Sequence, residues 1–271
     1  MAQKQDIFTL MGGRVNIHRG RYNPTSDAVW LAAMAADCHA ETVLDAGIGT
    51  GGAALCLMAN MPNIRVTGLD ISPEMLAECD KNAQLNNRNI ELINADITTW
   101  RTARTFDMII TNPPYFRGTP AKHNAHHNAD LNTWTRRCLA RVRPHGTFVI
   151  ITDAGTTATV MSAMAEKCGD IELFPLFGAR RTAERVLLRG RIGTRGPTIV
   201  HSGLSMNTDA VLRDGLTIGA ALATLNRHDK LYNQTFYITL GADYVAISGY
   251  LAHDSAHIPA TRIYSNGYSA R

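Results

Sequence analysis

Residues 43 to 52 read VLDAGIGTGG. A β-branched apolar run reaches Asp45, and Gly47, Gly49, Gly51 and Gly52 follow before the apolar stretch AALCLMANM. A strand that turns through glycines directly into a helix brings backbone close to a ligand, at the carboxyl end of a strand, where open α/β sheets bind their ligands. The unit then repeats: the strand RVTGLDI, a helix expected to start at the N-cap Ser72 with Pro73 in its first turn, the strand NIELINAD and the strand TFDMIITNPP. A polar loop over 117–129, the helix LNTWTRRCLARV ended by Pro144 and Gly146, the strand GTFVIITD, the helix TTATVMSAMAEKC and the strands DIELFPLFG and AERVLLRGRI complete it.

Such alternation predicts an α/β fold with a doubly wound, mostly parallel seven-stranded sheet. Because no helix separates the last two strands, one antiparallel strand is expected near the end. Residues 1–40 are expected to form an N-terminal segment over the ligand crevice, with an apolar helix capped near Thr25 or Ser26. Residues 41–219 make the main domain and 220–271 a C-terminal extension, where six of the eight tyrosines fall and QTFYITLGADYVAIS alternates like a hairpin.

The 271 residues, 45% hydrophobic and 18% charged, describe a globular chain able to bury a large core. A net charge of +4 permits a polyanionic partner without demanding one. Five scattered cysteines without a C-x-x-C pair fit reduced thiols, and neither a signal peptide nor a membrane span is legible, so a cytoplasmic protein is expected.

A glycine corner alone does not choose its ligand, since dinucleotide enzymes use a similar one. Asp45, two residues before Gly47, would repel a pyrophosphate but suits a cationic amino-acid group. Asp70 closes the second strand, where a carboxylate can accept from both ribose hydroxyls. Asp96 ends the third strand, placed for an exocyclic adenine amine, with Ile71 and Ile97 as candidates to sandwich the ring. Each acid alone also reads as a helix cap or turn former. Together they match S-adenosylmethionine, with its charged methionine part, ribose and adenine.

VLDAGIGTGG, LDI, NADI and TNPPY, in that order and spacing, resemble the class I S-adenosylmethionine-dependent methyltransferases of the amino-methylating group with an N/D-P-P-Y/F/W signature. The resemblance implies a Rossmann-like methyltransferase domain and cofactor contacts from Asp27, Asp45, Ala46, Gly47, Gly49, Gly51, Asp70, Ile71, Asp96, Ile97 and Asn112. It also implies that Asn112, Pro113, Pro114 and Tyr115 act in catalysis: the Asn112 side chain and Pro113 carbonyl accept from one planar NH2 group, and Tyr115 stacks on the group that carries it. Adjacent prolines freeze that corner, because each fixes φ near −65° and donates no hydrogen bond. No metal is needed for this chemistry, and none is expected.

The segment GGRVNIHRGRYNPTSDAVWLAAMA and the stretch GARRTAERVLLRGRIGTRGPTIVH resemble the bacterial valine-tRNA adenine-N6 methyltransferase family over roughly residues 8 to 218. Asn23 to Ser26 depart from its pattern, where an aromatic and a glycine would be expected. RNA, and tRNA in particular, is therefore the expected partner. In the strand over 183–192, Arg185, Arg189 and Arg191 alternate with apolar residues and, with Arg180 and Arg181, are read as a phosphate-facing row; the alternative is a solvated edge strand protected by charge. His126 and His127, beside Lys122 and His123, are read as RNA contacts. The rival functions are a protein-glutamine N5-methyltransferase acting on release factors, a non-catalytic RNA-binding protein with a vestigial site and, weakest, a nicotinamide dehydrogenase.

Overall fold

In the chain's computed structural model, residues 7–20, 22–114, 124–179, 182–228, 233–240 and 243–250 are described, with backbone alone at 124–129, 225–228 and in the last two stretches. The chain opens on a hairpin of β1 (Ile7–Leu10) and β2 (Val15–His18), joined through Met11–Gly13, where Met11, Gly12 and Gly13 all take positive φ. Helix α1 (Ser26–Ala35) follows, with Thr25 as its N-cap residue, as the sequence indicates.

The glycine corner sits between β3 (Thr42–Ala46) and α2 (Gly52–Asn60). Next come β4 (Arg65–Asp70), α3 (Pro73–Leu85), β5 (Ile90–Asn94), β6 (Phe106–Thr111), α4 (Asn124–Leu139), β7 (Val142–Asp153), α5 (Thr157–Ala165), β8 (Cys168–Phe177) and β9 (Ala183–Ile192). The Ser72 hydroxyl accepts from Met75 N at 3.3 Å and Pro73 opens α3, the start that these two residue types dictate.

In space the first seven main-sheet strands run β5-β4-β3-β6-β7-β9-β8. All pairs from β5 to β7 are parallel, and β9 is antiparallel to both β7 and β8. The expected doubly wound sheet with one reversed strand is therefore present. It is wider than seven strands: β10 (Thr198–His201) and β11 (Leu204–Ser205) add to β8 in parallel, and after α6 (Asp209–Leu212) and α7 (Ile218–His228) the hairpin of β12 (Asn233–Leu240) and β13 (Asp243–Tyr250) joins through β13 to β10, giving eleven strands. An edge strand exposes unpaired N–H and C=O groups, and β8 offers them to the β-branched run TIVH.

Alternation along the strands splits the core in two. Val43, Met108, Ile110, Val149 and Ile151 face a layer that includes α1, α2 and α3, while Leu44, Ile109, Phe148 and Ile150 face α4 and α5. Strands covered on both faces read as continuous apolar runs, which is how they stand in the sequence.

Two boundaries differ from expectation. Helix α4 begins at Asn124 rather than Leu131, because a polar first part can continue a helix whose buried stripe, Leu131, Thr135 and Cys138, lies further on. Strand β7 begins at Val142 and absorbs Pro144 and Gly146 in a register shift against β6, between Phe106↔Val142 and Met108↔Thr147, with His145 at φ 62°. Bulges tolerate a proline that a regular ladder would reject.

Candidate active site

A cavity of about 380 Å3 opens at the carboxyl ends of β3 and β6. It is lined by the glycine corner with Asp45, by Asn112, Pro113 and Pro114, and by the segment that leads into α1, Tyr22 to Thr25. Pro24 lies so close to α2 that a Cβ on Gly52 would sit 2.5 Å from its own Cβ. Glycine at the first residue of α2 is thus what lets the N-terminal segment cover the crevice.

The corner itself is held by backbone donors. Gly47 N and Ile48 N donate to Leu69 O at 2.8 and 3.0 Å, and Gly49 N donates to Asp70 Oδ2 at 2.9 Å. Asp70 Oδ1 accepts from Ser72 N at 2.9 Å, so one carboxylate clamps the turn after β3 to the turn after β4. Gly47, Gly49 and Gly51 have φ of 76°, 55° and 88°, a region that β-carbons disfavour. At Gly49 nothing stands within 4 Å of where a Cβ would be, which leaves open space above the turn.

Two buried acceptors in this cavity lack partners. Asp45 is 2% exposed, its Oδ2 is without a hydrogen bond, and Asn112 Oδ1 is likewise unpartnered. Burial pushes the Asp45 carboxyl up to about 7, repulsion from Asp70 adds to the rise, and a hydrogen bond from the Ala54 backbone opposes it. Unpaired buried carboxylates are costly, so the site is built for a cationic or N–H-rich ligand. The ammonium of a methionine group would satisfy Asp45 and the glycine turn admits its backbone-hugging chain; Asp70, expected at the ribose, lies outside the cavity lining, with each oxygen accepting from a backbone amide. The residues fit S-adenosylmethionine.

Thr111 ties β6 to the corner: its hydroxyl donates to Ala46 O at 2.7 Å and accepts from Trp134 Nε1 at 3.1 Å. Ala46 thus contributes a carbonyl to strand registration and is buried, outside the cavity lining. Trp134 also packs on the turn, 3.1 Å from a Cβ placed on Gly47. These contacts set the position of Asn112, the next residue in the chain.

Several expectations need correction. Ile97 is fully buried among Leu44, Leu69 and Phe106, so it offers no face to an adenine, whereas Ile71 is 69% exposed beside Asp70. Asp96 spends Oδ1 on Thr98, accepting from its N and Oγ1 at 2.8 Å each. Asp27 lies outside the cavity lining: it is buried, and its Oδ2 accepts from Arg185 Nε at 3.0 Å. Arg185 also bonds Asp153 Oδ1 at 2.7 Å, and Arg189 bonds Glu172, with a longer contact to Met34 O. The strand therefore does not present a row of arginines to phosphate, because both faces of β9 are covered and these two guanidiniums are consumed by acids; Arg191, at the end of β9, is exposed. Tyr115, Arg180 and Arg181 lie outside the described residues, as do Lys122 and His123, and of His126 and His127 only the backbone, in the first turn of α4, is described.

Sequence reasoning missed Tyr22, Pro24, Thr50 and Met75 in the lining and Trp134 behind it. Thr50 stands inside the glycine motif, but Tyr22, Pro24, Met75 and Trp134 carry no motif signal; only the fold brings residues 22–25 over residues 47–52. Among the described residues no group of three or more His, Cys, Asp or Glu is placed to hold a metal ion, and no helix is long and apolar enough to cross a membrane.

Residues 43–146 match the family model of a methyltransferase domain. The chain is 30% identical to a tRNA1(Val) (adenine(37)-N6)-methyltransferase of Glaesserella parasuis over 48% of this chain and 60% of that one. It is also 30% identical to the protein of that name from Haemophilus influenzae, over 58% of this chain and 73% of the relative. A release factor glutamine methyltransferase of Flavobacterium psychrophilum is 41% identical over a shorter span, 30% of this chain and 28% of that one. The match thus spans about half to three fifths of the first curated relatives. Among solved structures, a predicted O-methyltransferase from Agrobacterium tumefaciens superposes with a TM-score of 0.57 at 24% identity, over 67% of this chain and 88% of that one, and shares the fold.

Proposed function

Because the chain belongs to the class I S-adenosylmethionine-dependent methyltransferases, in the family of its tRNA1(Val) adenine-N6 relatives, we propose that it methylates N6 of an adenine in RNA, with an unpaired anticodon-loop adenine of tRNA as substrate. The observation that carries this reading is the pair of unpartnered acceptors, Asp45 Oδ2 and Asn112 Oδ1, on residues lining one cavity. One takes the cation of the cofactor, the other an N–H of the substrate.

S-adenosylmethionine supplies, when bound, a methyl group already activated by sulfonium. The chain's own residues then have to bind, align and exclude water. Asp45 holds the ammonium end, Asp70 the ribose, and Ile71 covers one face of the adenine. Asn112 and the Pro113 carbonyl accept the two hydrogens of the substrate amine. An exocyclic amine is a weak nucleophile because its lone pair is delocalised into the ring, and two acceptors favour the pyramidal nitrogen from which that pair can attack. The prolines keep both acceptors in place at no further entropic cost. After transfer the nitrogen is acidic and gives up its proton through Asn112 or water.

An anticodon-loop base suits this site because it is already unpaired, so its extrusion costs least. Such a substrate places the protein in the cytoplasm. The rival, a protein-glutamine N5-methyltransferase, has support from the release-factor relative, since a glutamine amide offers the same NH2 to the same acceptors. Incubation with labelled S-adenosylmethionine and, separately, total tRNA or release factor, followed by nucleoside and amino-acid analysis, tests the choice. Label in N6-methyladenosine is expected; label confined to glutamine would replace this reading by its rival.

A further inference from the structure

The turn that covers the cavity is closed on itself. Asn23 Oδ1 accepts from Gly20 N at 3.0 Å and Asn23 Nδ2 donates to Gly20 O at 3.1 Å, so one side-chain amide ties together the two ends of the segment 20–23. The next residue, Pro24, is seated against Gly52 of α2, and its ring fixes φ. The segment is therefore fastened both to itself and to the helix that carries the glycine corner.

What this fastened turn carries is Tyr22. The residue lines the cavity together with Asn112, Pro113 and Pro114, and is 53% exposed. Only Ile7, Tyr22 and Ile71 stand out as exposed large hydrophobic residues among those described, and of these three Tyr22 alone lines the cavity. A half-exposed aromatic ring on a pinned turn at the mouth of a mainly apolar cavity is a contact surface whose ordering cost has been met in advance.

We propose that Tyr22 is a second wall on which the target base stacks, in addition to the contact that the N-P-P-Y resemblance gives to Tyr115. This rests on the reading of the substrate as an RNA adenine. The acceptors at Asn112 and Pro113 grip one edge of the base, and the N-P-P-Y resemblance gives one face contact to Tyr115; a second face contact from Tyr22 fixes the plane of the ring from the N-terminal side. The contact is indifferent to base identity, since every base has a π-face, and is worth about 1–3 kcal/mol per base. A glutamine amide presents far less face, so Tyr22 favours a nucleobase over an amide side chain in a cavity whose acceptors serve both.

The test uses Tyr22→Phe, Tyr22→Leu and Tyr22→Ala in the full chain, with steady-state transfer to total tRNA and calorimetric binding of S-adenosylmethionine. The Leu and Ala variants are expected to lose about 5- to 150-fold in kcat/KM for tRNA, the factor that the stacking energy implies. Tyr22→Phe should recover transfer to within about threefold, because the ring rather than the hydroxyl acts, and cofactor affinity should stay within about twofold in all three. Unchanged kcat/KM in Tyr22→Ala, a Phe variant as poor as Ala, or a parallel loss of cofactor affinity would each overturn the proposal while leaving tRNA methylation intact. Wild-type protein that labels glutamine and no RNA would remove the proposal and the functional reading together.

Discussion

At the scale of single residues, Asp45 carries a cost that only its ligand relieves. Its carboxyl titrates near 7, raised by burial and by Asp70, well above the 3.8 of a free aspartate. A raised carboxyl disfavours the ionised form in the fold, so this group leaves stability intact below about pH 4, subtracts progressively between pH 4 and 7, and subtracts fully above 7. A bound ammonium reverses the balance and draws the proton off. Cofactor affinity should therefore climb as pH rises from about 5.5 to 7, with proton release measurable by calorimetry in buffers of different ionisation enthalpy; a flat profile would mean that Asp45 does not face the cation. Asp45→Asn should raise the melting temperature of the free protein at pH 8 and weaken cofactor binding at least about tenfold. Gly51 is the second sensitive position: at φ 88°, with Cys79 Sγ 2.7 Å from where its Cβ would stand, Gly51→Ala should cost about 2–4 kcal/mol in urea unfolding. Both residues were legible in the sequence, since a carboxylate at a strand end beside glycines has few other uses. Ile97 was not, because its side-chain direction depends on how Asp96 turns the chain onto Thr98, a contact that no pattern announces.

At the scale of elements, the arginine strand is the instructive misreading. Alternation of arginine with apolar residues over 183–192 suggested one wet face, yet Val186, Leu187 and Leu188 are all buried and Arg185 reaches across to Asp27 in α1 and Asp153 at the end of β7. A period-two pattern tells which residues share a face but not what covers it, and here α1 supplies the cover. Arg185 is thus a tie between the N-terminal segment and the sheet. Removing one partner of a buried pair leaves the other uncompensated, so Arg185→Ala should destabilise by about 3 kcal/mol, roughly 6–10 °C in melting temperature. The exposed Arg191→Ala should leave melting within about 1 °C. Equal, small shifts would return Arg185 to the surface role. The glycine corner, α3 with its Ser72 cap, and β9 at Ala183–Ile192 were read correctly because each is set by local chemistry; the start of α4 and the bulged start of β7 were missed because tertiary pairing, not composition, decides them.

For the whole molecule, the sheet order β5-β4-β3-β6-β7-β9-β8 brings the ends of β3 and β6 side by side, and this adjacency, not any one motif, makes a site out of residues 45 and 112. The topology followed from strand and helix alternation; the four further strands beyond β8 did not, since they join an edge that the pattern leaves open. A ligand that binds only the folded chain stabilises it by about 2.7 kcal/mol at 100 times its dissociation constant, so saturating S-adenosylmethionine should raise the melting temperature by several degrees. Division of labour across the cavity then makes the decisive measurement: single-turnover methyl transfer to tRNA by Asn112→Ala, with the cofactor-induced melting shift recorded on the same protein. Transfer reduced by at least about 100-fold with the melting shift retained is the expected result. Transfer at the wild-type rate would contradict the assignment of Asn112 as the acceptor that holds the reacting amine.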